Sequence, residues 1–368
     1  MNLRKDNWEK LPLGDVCELY QPKTISGKDL IPDGKYNVWG ANGIIGKYNE
    51  YNQEDEQVLI SCRGEKCGVI NYSEKQAWVT GNSMVAKPIE ESKLNKRFLF
   101  FLLSGTDLSP VINGTAQPQI TRKSIEVFKI PIPSPEEQKQ IAALFQSIET
   151  AMEQVDGQEK NLKALQKSLM NGLLSKEPEF GNLLNSKNCQ STTFDEIAEC
   201  DKKYPEHEKE VERFVGLEFI EADNFKLQGW GEIANGTTFS KRFVKGDVLF
   251  GKRRAYLKKV AVADFDGICS GDILVIRAKG KRMLQGLLPY YISAEAFIQH
   301  AISTSAGSLS PRTKWKDLAE LEVFIPDIKT QETILKVLQQ LDTTVNQLKQ
   351  QKTTLKNLKQ KLLNEILG

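Results

Sequence analysis

Apolar residues recur with a seven-residue period in residues 135–175, a stretch with no internal proline. The repeating positions are Ile141, Ile148, Val155, Leu162 and Leu169. A second set lies three positions after each of these and has the polar Gln158 at its centre. Sustained over about five heptads, this spacing predicts a coiled-coil helix. Such a helix of about 40 residues would span ~60 Å and needs a partner along its length.

Residues 330–368 repeat this pattern 193 positions later. The corresponding residues are Ile334, Leu341, Leu348, Leu355 and Leu362, with Gln351 matching Gln158. We therefore predict that the two helices pair as an antiparallel coiled coil with pseudo-twofold symmetry, and that the two glutamines hydrogen-bond in its central core layer. Two alternatives stay open: the helices are unrelated amphipathic segments, or the glutamines point outward.

The segments that precede the two helices also match each other. Val58, Leu59 and Arg63 correspond to Val248, Leu249 and Arg253 at an offset of 190, and Gly114 and Pro118 to Gly307 and Pro311 at 193. The sequence thus predicts an α/β fold with two tandem domains, 1–134 and 176–329, each followed by a long helix, 135–175 and 330–368. Within the first domain, strands are predicted near 36–40, 57–61, 77–80 and 83–87, and a buried helix at 97–104.

Composition excludes several classes of function. The net charge is +2, so any nucleic-acid binding depends on local basic patches rather than on a basic tail. Apolar runs are too short for a membrane span, and no apolar signal region opens the chain, so we expect a cytoplasmic protein. The six cysteines form no Cys-x-x-Cys pair and there are two histidines, of which His207 is interpreted as a solvated surface residue. We expect neither a metal site nor a disulfide framework.

Catalytic signatures are also missing. The sequence lacks a GxxxxGK[ST] phosphate loop, an Asn-Pro-Pro-aromatic or Asp-Pro-Pro-aromatic segment, and an Asp…Glu-x-Lys arrangement that stands out as a nuclease centre. The lack of these catalytic motifs in a chain of 368 residues favours a recognition or scaffold protein over an enzyme.

Polar and basic side chains recur at matching places in the two domains, after the Val-Leu strand and just before the final strand. The candidate DNA-binding residues are Arg63, Lys66, Gln117, Gln119, Thr121 and Arg122 in the first domain, and Lys252, Arg253, Arg254, Ser308, Ser310, Arg312 and Lys314 in the second. Arginine fits the guanine edge, glutamine fits adenine, and lysine and hydroxyl groups suit phosphates. Charged loops that are merely solvated are the alternative.

The duplicated plan resembles the specificity subunit of type I restriction–modification systems. IPIPSPEEQKQIAALFQSIE and FIPDIKTQETILKVLQQLD are similar to the openings of the two helical regions of that family. VLFGKRRAYLKKVAVADFDGICSGDILVIR, YNVWGANGIIGKYNEY and VLISCRGEKCG are similar to segments of its target recognition domains. The resemblance covers nearly the whole chain.

The resemblance implies a division of labour. Each recognition domain would read one half of a split, asymmetric site in double-stranded DNA, and the helices would set the spacer and dock two methyltransferase subunits. S-adenosylmethionine, ATP and Mg would then be bound by the methyltransferase and the restriction or motor subunits, and this chain would hold no cofactor and no active site.

Two other functions compete with this interpretation. One is a structural scaffold that does not bind DNA, with two protein-binding domains held apart by a coiled coil. The other is a combined restriction and methylation enzyme whose catalytic part is missing from this sequence.

Overall fold

The computed structural model describes residues 5–114, 116–175, 180, 183, 189–200 and 211–368. The chain divides into two compact units, Met1–Asp156 with Gln350–Gly368, and Gly157–Lys349. This division cuts both long helices, so each unit contains one α/β domain and one segment of each helix. His207, interpreted above as a surface residue, lies outside the described residues.

The domain of the first unit is a mixed α/β fold. Its strands are β1 (Glu9–Pro12), β2 (Cys17–Tyr20), β3 (Tyr36–Gly40), β4 (Gly43–Tyr48), β5 (Val58–Ser61), β6 (Ile70–Tyr72), β7 (Trp78–Val79), β8 (Ser83–Pro88) and β9 (Lys129–Ile132). Its helices are α1 (Leu13–Val16), α2 (Lys96–Gly105) and α3 (Arg122–Glu126). The strands predicted near 36–40, 57–61, 77–80 and 83–87 are confirmed. The predicted buried helix at 97–104 corresponds to α2, whose Phe98 and Phe101 lie in the core.

The second unit contains a domain built from corresponding elements. Its strands are β10 (Cys189–Thr193), β11 (Ala198–Cys200), β12 (Arg213–Val215), β13 (Gly231–Glu232), β14 (Lys241–Phe243), β15 (Val248–Gly251), β16 (Val260–Val262), β17 (Gly267–Cys269), β18 (Ile273–Ala278) and β19 (Glu322–Pro326). Its helices are α5 (Phe194–Ile197), α6 (Leu288–Ser293), α7 (Glu295–Ser303) and α8 (Trp315–Ala319).

The larger sheets of the two domains have the same topology. The strand order is β2-β8-β5-β6 in the first and β11-β18-β15-β16 in the second, with antiparallel neighbours throughout. Val58 lies opposite Ala86 and Val248 opposite Ile276, so both partners shift by the 190 positions inferred from the sequence. The smaller sheets differ, with order β4-β3-β7 against β13-β12-β17-β14. The duplication is therefore closest around the central strands β5 and β15.

The two long helices are α4 (Pro135–Leu173) and α9 (Ile328–Leu362), and the last turn of the chain, Leu363–Leu367, widens into a π-helix. A buried glutamine fixes the entry to each helix. The Nε2 group of Gln138 donates to the carbonyls of Lys93 and Pro133, both at 2.9 Å, and its Oε1 accepts from the Asn95 amide at 2.8 Å. The Gln138 side chain therefore ties the start of α4 to the backbone of its domain.

The same arrangement recurs at the second helix. The Nε2 group of Gln331 donates to the carbonyls of Arg282 (2.7 Å) and Pro326 (2.9 Å), and Oε1 accepts from the Leu284 amide at 2.9 Å. Gln138 and Gln331 are both 0% exposed. Because a buried amide without partners is costly, these satisfied side chains stabilise the junction between domain and helix.

The predicted helix core is only partly correct. Ile141, Ile148, Val155, Ile334 and Leu348 are buried, and Leu162, Leu169, Leu341, Leu355 and Leu362 are half-buried. Gln158 and Gln351 are exposed, so the prediction that they occupy a core layer is wrong. The second buried row lies four residues after the first rather than three, at Phe145, Leu173, Leu338 and Val345.

The shift of this row has a physical cause. Side chains four residues apart stack on one face of a helix. In the terminal turns that face packs into a domain core: Ile141 and Phe145 lie in the core of the first domain, and Ile334 and Leu338 in that of the second. The apolar period therefore reflects domain packing as well as helix pairing.

Polar contacts join the helix segments within each unit. In the first unit, Lys359 pairs with Glu149 and Lys352 with Asp156, each at 2.6 Å. From the first pair to the second, the residue number in α4 rises by seven while the residue number in α9 falls by seven. These two helix segments therefore run antiparallel. In the second unit, Gln166 donates to Asp342 at 2.6 Å.

Within the described residues, no helix is both long enough and apolar enough to cross a membrane.

Candidate nucleic-acid interface

Two loops lie side by side in the second unit. They are residues 252–258, which follow β15, and residues 306–312, and we call them the second paired loops. Ala306 and Arg312 exchange both backbone hydrogen bonds at 3.0 Å, which closes a short hairpin. The Arg254 amide donates to the Pro311 carbonyl at 2.8 Å. Backbone hydrogen bonds thus join loops that are about 55 residues apart in the sequence.

One carboxylate organises the cations of these loops. Asp272 follows β17 and accepts from Arg312 Nε at 2.7 Å and Nη2 at 3.2 Å, and Arg253 Nη1 lies 3.5 Å away. The hydrogen bonds from Arg312 hold the pKa of the Asp272 carboxyl below its usual range. Asp272 therefore stays ionised at neutral pH and fixes two arginines with their remaining N–H groups available.

Arg254 and Lys258 have left-handed backbone conformations, with φ of 54° and 51°. Non-glycine residues avoid this region because Cβ approaches the following carbonyl, at a cost of roughly 1–2 kcal/mol each. The side chain of Arg254 is exposed and donates to the Leu309 carbonyl at 3.3 Å, while Lys258 pairs with Glu295 at 2.7 Å. Such strain is typical of functional loops, where the side chain is needed despite the backbone.

The first unit has equivalent loops, residues 62–68 and 113–119, which we call the first paired loops (115 lies outside the described residues). Asn113 and Gln119 exchange both backbone hydrogen bonds at 2.8 Å, and the Gly64 amide donates to the Pro118 carbonyl at 3.1 Å. These bonds correspond residue for residue to those of Ala306, Arg312, Arg254 and Pro311. The backbone framework is therefore the same in both units.

The side chains on this common framework differ. Arg63 and Arg253 correspond, but Asn82 stands where the second unit has Asp272, and Gln119 where it has Arg312. Gly64 and Gly68 occupy the left-handed positions with φ of 81° and 90°, at no steric cost. Arg63 is exposed and, among the described residues, its side chain makes no hydrogen bond or ion pair.

The structure brings together most of the residues proposed from the sequence. In the first unit, Arg63, Lys66, Gln117 and Gln119 lie on the paired loops and are exposed. Thr121 also caps α3 by accepting from the Ser124 amide at 3.2 Å, and Arg122 lies 3.6 Å from Glu126. Through these two contacts, Thr121 and Arg122 also stabilise α3.

The second unit places its candidates in the same way. Arg253 donates through Nε to Ser310 Oγ at 2.6 Å, and Arg254, Ser308, Arg312 and Lys314 are exposed. Lys252 is half-buried, and its carbonyl accepts from the Thr313 amide at 3.1 Å. Asn82, Asp272 and the exposed Leu309 are not among the residues predicted from the sequence. The offset of 190 already fixed from β5 and β15 would have aligned Asn82 with Asp272.

These surfaces present polar and basic side chains and no catalytic motif among the described residues. Exposed guanidinium, amide and hydroxyl groups, here on hydrogen-bonded loops, are the groups with which proteins contact base edges and phosphates. Within the ranges that the structure describes, no cluster of histidine, cysteine, aspartate and glutamate has the makeup of a metal site.

Comparison with known proteins identifies the family. The model of the type I restriction modification DNA specificity domain matches residues 5–164 and again 187–357. The chain belongs to this family. The double match coincides with the duplication seen in the two larger sheets.

Two specificity subunits align with nearly the whole length of this chain. The specificity subunit of the type I restriction enzyme EcoDI from Escherichia coli is 25% identical over 378 residues, covering 91% of this chain and 81% of the relative. The MjaVIII specificity subunit from Methanocaldococcus jannaschii is 21% identical, covering 98% and 92%.

Solved structures share the fold. The S subunit of a type I restriction–modification system from M. genitalium superposes with a TM-score of 0.65 at 15% identity, covering 99% of this chain and 97% of that one. A chain from a study of complex assembly in the type I system gives a TM-score of 0.56 at 14% identity, with 97% coverage of both. At these identities the likeness concerns the fold alone.

Proposed function

We propose that this chain is the DNA-recognition subunit of a type I restriction–modification complex, in which each domain reads one half of a split, asymmetric sequence. The observation that carries the proposal is the pair of loop frameworks with the same backbone hydrogen bonds and different exposed side chains. Two copies of one framework with the same side chains would read two equal half-sites. The change from Asn82 and Gln119 to Asp272 and Arg312 instead supports two different half-sites.

The long helices set the spacer in this proposal. Helix α4 has 39 residues, a length of ~58 Å at about 1.5 Å per residue. The antiparallel contacts within each unit support an antiparallel coiled coil with pseudo-twofold symmetry, because the repeat relates α4 to α9. The buried Gln138 and Gln331 hold each domain on its helix, so the distance between half-sites follows helix length.

Two methyltransferase subunits dock on the exposed faces of these helices. Identical subunits need two equivalent surfaces, and Leu165 (48% exposed) and Leu358 (43%) are related by the 193-residue offset. The helix faces that line the grooves beside the domains are less suitable, because they differ in charge. Glu153 and Asp156 line one groove, whereas Asn346 and Lys349 stand at the corresponding positions of the other.

The methyltransferase subunits supply S-adenosylmethionine chemistry in this proposal, and the motor subunits supply the ATP- and Mg-dependent steps. This chain contributes no catalytic group. Its arginines and glutamines select the DNA that its partners modify.

Methylome sequencing of the host with and without the gene tests the proposal. We expect a split, asymmetric adenine motif to disappear on deletion and to return with the gene supplied on a plasmid. An unchanged methylome in a host that carries the partner genes would contradict the proposal. Gel shifts across a salt series test DNA binding independently, since contacts to phosphates give a steep decrease of affinity with salt.

Native mass spectrometry tests the docking surface. We expect Leu165→Asp and Leu358→Asp each to lose one methyltransferase copy, and the double variant to lose both. Lys163→Asp and Lys356→Asp, which are also related by the offset, serve as charge controls. Full assembly of the double leucine variant would place the docking surface elsewhere.

A further inference from the structure

Leu309 is the most exposed of the large apolar side chains that the structure describes, at 90%. Single exposed apolar residues are common on protein surfaces, so exposure alone carries no function. The position of Leu309 is what distinguishes it. It lies at the tip of the 306–312 hairpin, within the loop pair that we propose reads DNA.

The hairpin holds this tip in place. The Leu309 carbonyl accepts from Arg254 Nη2 at 3.3 Å, and the neighbouring Ser310 accepts from Arg253 Nε at 2.6 Å. Gly307, with φ of 109°, turns the chain before the tip, and the two bonds between Ala306 and Arg312 close its base. A leucine on a tethered hairpin loses little conformational entropy on binding, which favours a defined contact.

Charge around the tip points to the partner. The side chains of Arg253, Arg254 and Arg312 all hydrogen-bond to residues of the hairpin that carries Leu309, and Arg254 and Arg312 are exposed while Arg253 is half-buried. A polyanion that engages these guanidinium groups brings its interior against the apolar tip. Apolar side chains flanked by cations are used by DNA-binding proteins to enter a groove and pack on or between base pairs.

We infer that Leu309 enters the DNA groove and packs against the bases of the half-site read by the second domain. This inference rests on the proposed function, and it adds an apolar contact to the polar readout of Arg253 and Arg312. The corresponding residue of the first paired loops is Ala116, whose side chain is too short for the same contact. The two half-sites would thus be distinguished by depth of insertion as well as by hydrogen bonding.

The test uses the full-length chain with its methyltransferase subunits and the split site found by methylome sequencing. We expect Leu309→Ala to weaken binding to that site by about tenfold, as loss of one buried apolar contact predicts. Binding to DNA with the second half-site scrambled should change by less than about twofold. Leu309→Met should retain most of the affinity, because its length and polarity are similar. Ala116→Leu is the matched control for an added exposed leucine.

A second readout reports the contact itself. We expect 2-aminopurine placed in the second half-site to brighten when the wild-type complex binds, because inserted side chains disturb base stacking, and to brighten less with Leu309→Ala. The inference is overturned if Leu309→Ala binds like the wild type, weakens binding equally on scrambled DNA, or leaves the fluorescence change intact. If the wild-type complex itself shows no preference for the split site, the proposed function fails instead.

Discussion

The two sets of paired loops share their backbone and differ in how their side chains are held. In the second unit, Asp272 fixes Arg253 and Arg312, and the strained Arg254 adds a third guanidinium. In the first, Arg63 stands without an ion pair among the described residues, beside Gln119 and two relaxed glycines. One framework thus supports a pre-organised cationic surface and a more adaptable one. Under the proposed function, specificity could therefore change through these side chains while the backbone framework stays the same.

The largest effect should come from replacing this unequal pair by two equal copies. A fragment that ends at residue 176 keeps the first domain and α4 but lacks Leu363 and Leu367, which pack into the first domain core. A second copy can supply Met170 and Leu174, which correspond to them at the offset of 193. We expect a dimer that, with methyltransferase, modifies a palindrome of the first half-site.

Analytical ultracentrifugation and methylome sequencing check this prediction. The full-length chain, which should retain the asymmetric motif, is the control. A fragment that stays monomeric at micromolar concentration, or that still modifies the asymmetric motif, would contradict the equivalence of the two helices.

Removing the arginine that both frameworks share should affect one half-site at a time. We expect Arg253→Ala to cost about 1–3 kcal/mol only on DNA with an intact second half-site, and Arg63→Ala to cost the same only on DNA with an intact first half-site. Binding titrations with each half-site scrambled in turn measure this. A uniform loss on all sequences would reassign the arginine to a phosphate contact, with a smaller salt slope.

Exchanging the left-handed residues should separate folding from binding. We expect Arg254→Gly to stabilise the second unit by about 1 kcal/mol, because the strain is relieved, while DNA binding weakens. Gly64→Arg should destabilise the first by about the same amount, since a Cβ at Gly64 meets no atom within 4 Å and only backbone strain remains. Urea unfolding measures both. If Arg254→Gly lowered stability, the strain argument would be wrong.

The smallest effect on stability should come from replacing the Asp272 carboxylate by an amide. The pKa of Asp272 is lowered in the folded protein, chiefly by hydrogen bonds from Arg312, so its stabilisation is present above the unfolded pKa and is lost as pH falls through the folded one. We expect Asp272→Asn to cost less than about 1 kcal/mol at pH 7, since the pair is part-exposed. Melting curves from pH 7 to 3 should show this difference begin to decrease near pH 4, the ordinary pKa of an aspartate, and keep decreasing towards the lowered pKa of the folded protein.

The reciprocal change sharpens the comparison. Asn82→Asp introduces a carboxylate at the position that corresponds to Asp272, whereas Gln119 stands at the position of Arg312, so the melting temperature of this variant should not acquire the same dependence on pH. A gain in stability equal to that contributed by Asp272 would show that Arg63 alone can organise the site.

Much of this architecture follows from the sequence. The start of α4 at Pro135, the buried helix α2 and the strands around β5 were predicted because their apolar patterns are long or strongly bounded. Gln158 and Gln351 were misplaced because a seven-residue period fixes one buried row but leaves the second to be chosen between offsets of three and four. The domain cores at both ends of each helix determine that choice, and they are tertiary features.

The sequence predicts which loops form the candidate site, but it does not predict how Asp272 holds the arginines in place. Arg63, Gln119, Arg253 and Arg312 could be selected because their residue types suit bases and recur at one offset. Asp272 could not be selected in this way, since a carboxylate near DNA looks unfavourable until its hydrogen bonds to Arg312 are known. Asp272 and Arg312 are 40 positions apart in the sequence, so their contact depends on the tertiary fold.

The buried Gln138 and Gln331 have a consequence for how such proteins diversify. Their side chains bond to carbonyls and amides of the main chain and, among the residues that the structure describes, to no side chain of the domain. A domain joined to the helix through this junction is therefore held through backbone groups, which do not depend on the identity of its side chains. If the domains read half-sites as we propose, recombination between genes could exchange one domain for another at this junction, and the new protein would keep the old spacer while it gained a new half-site.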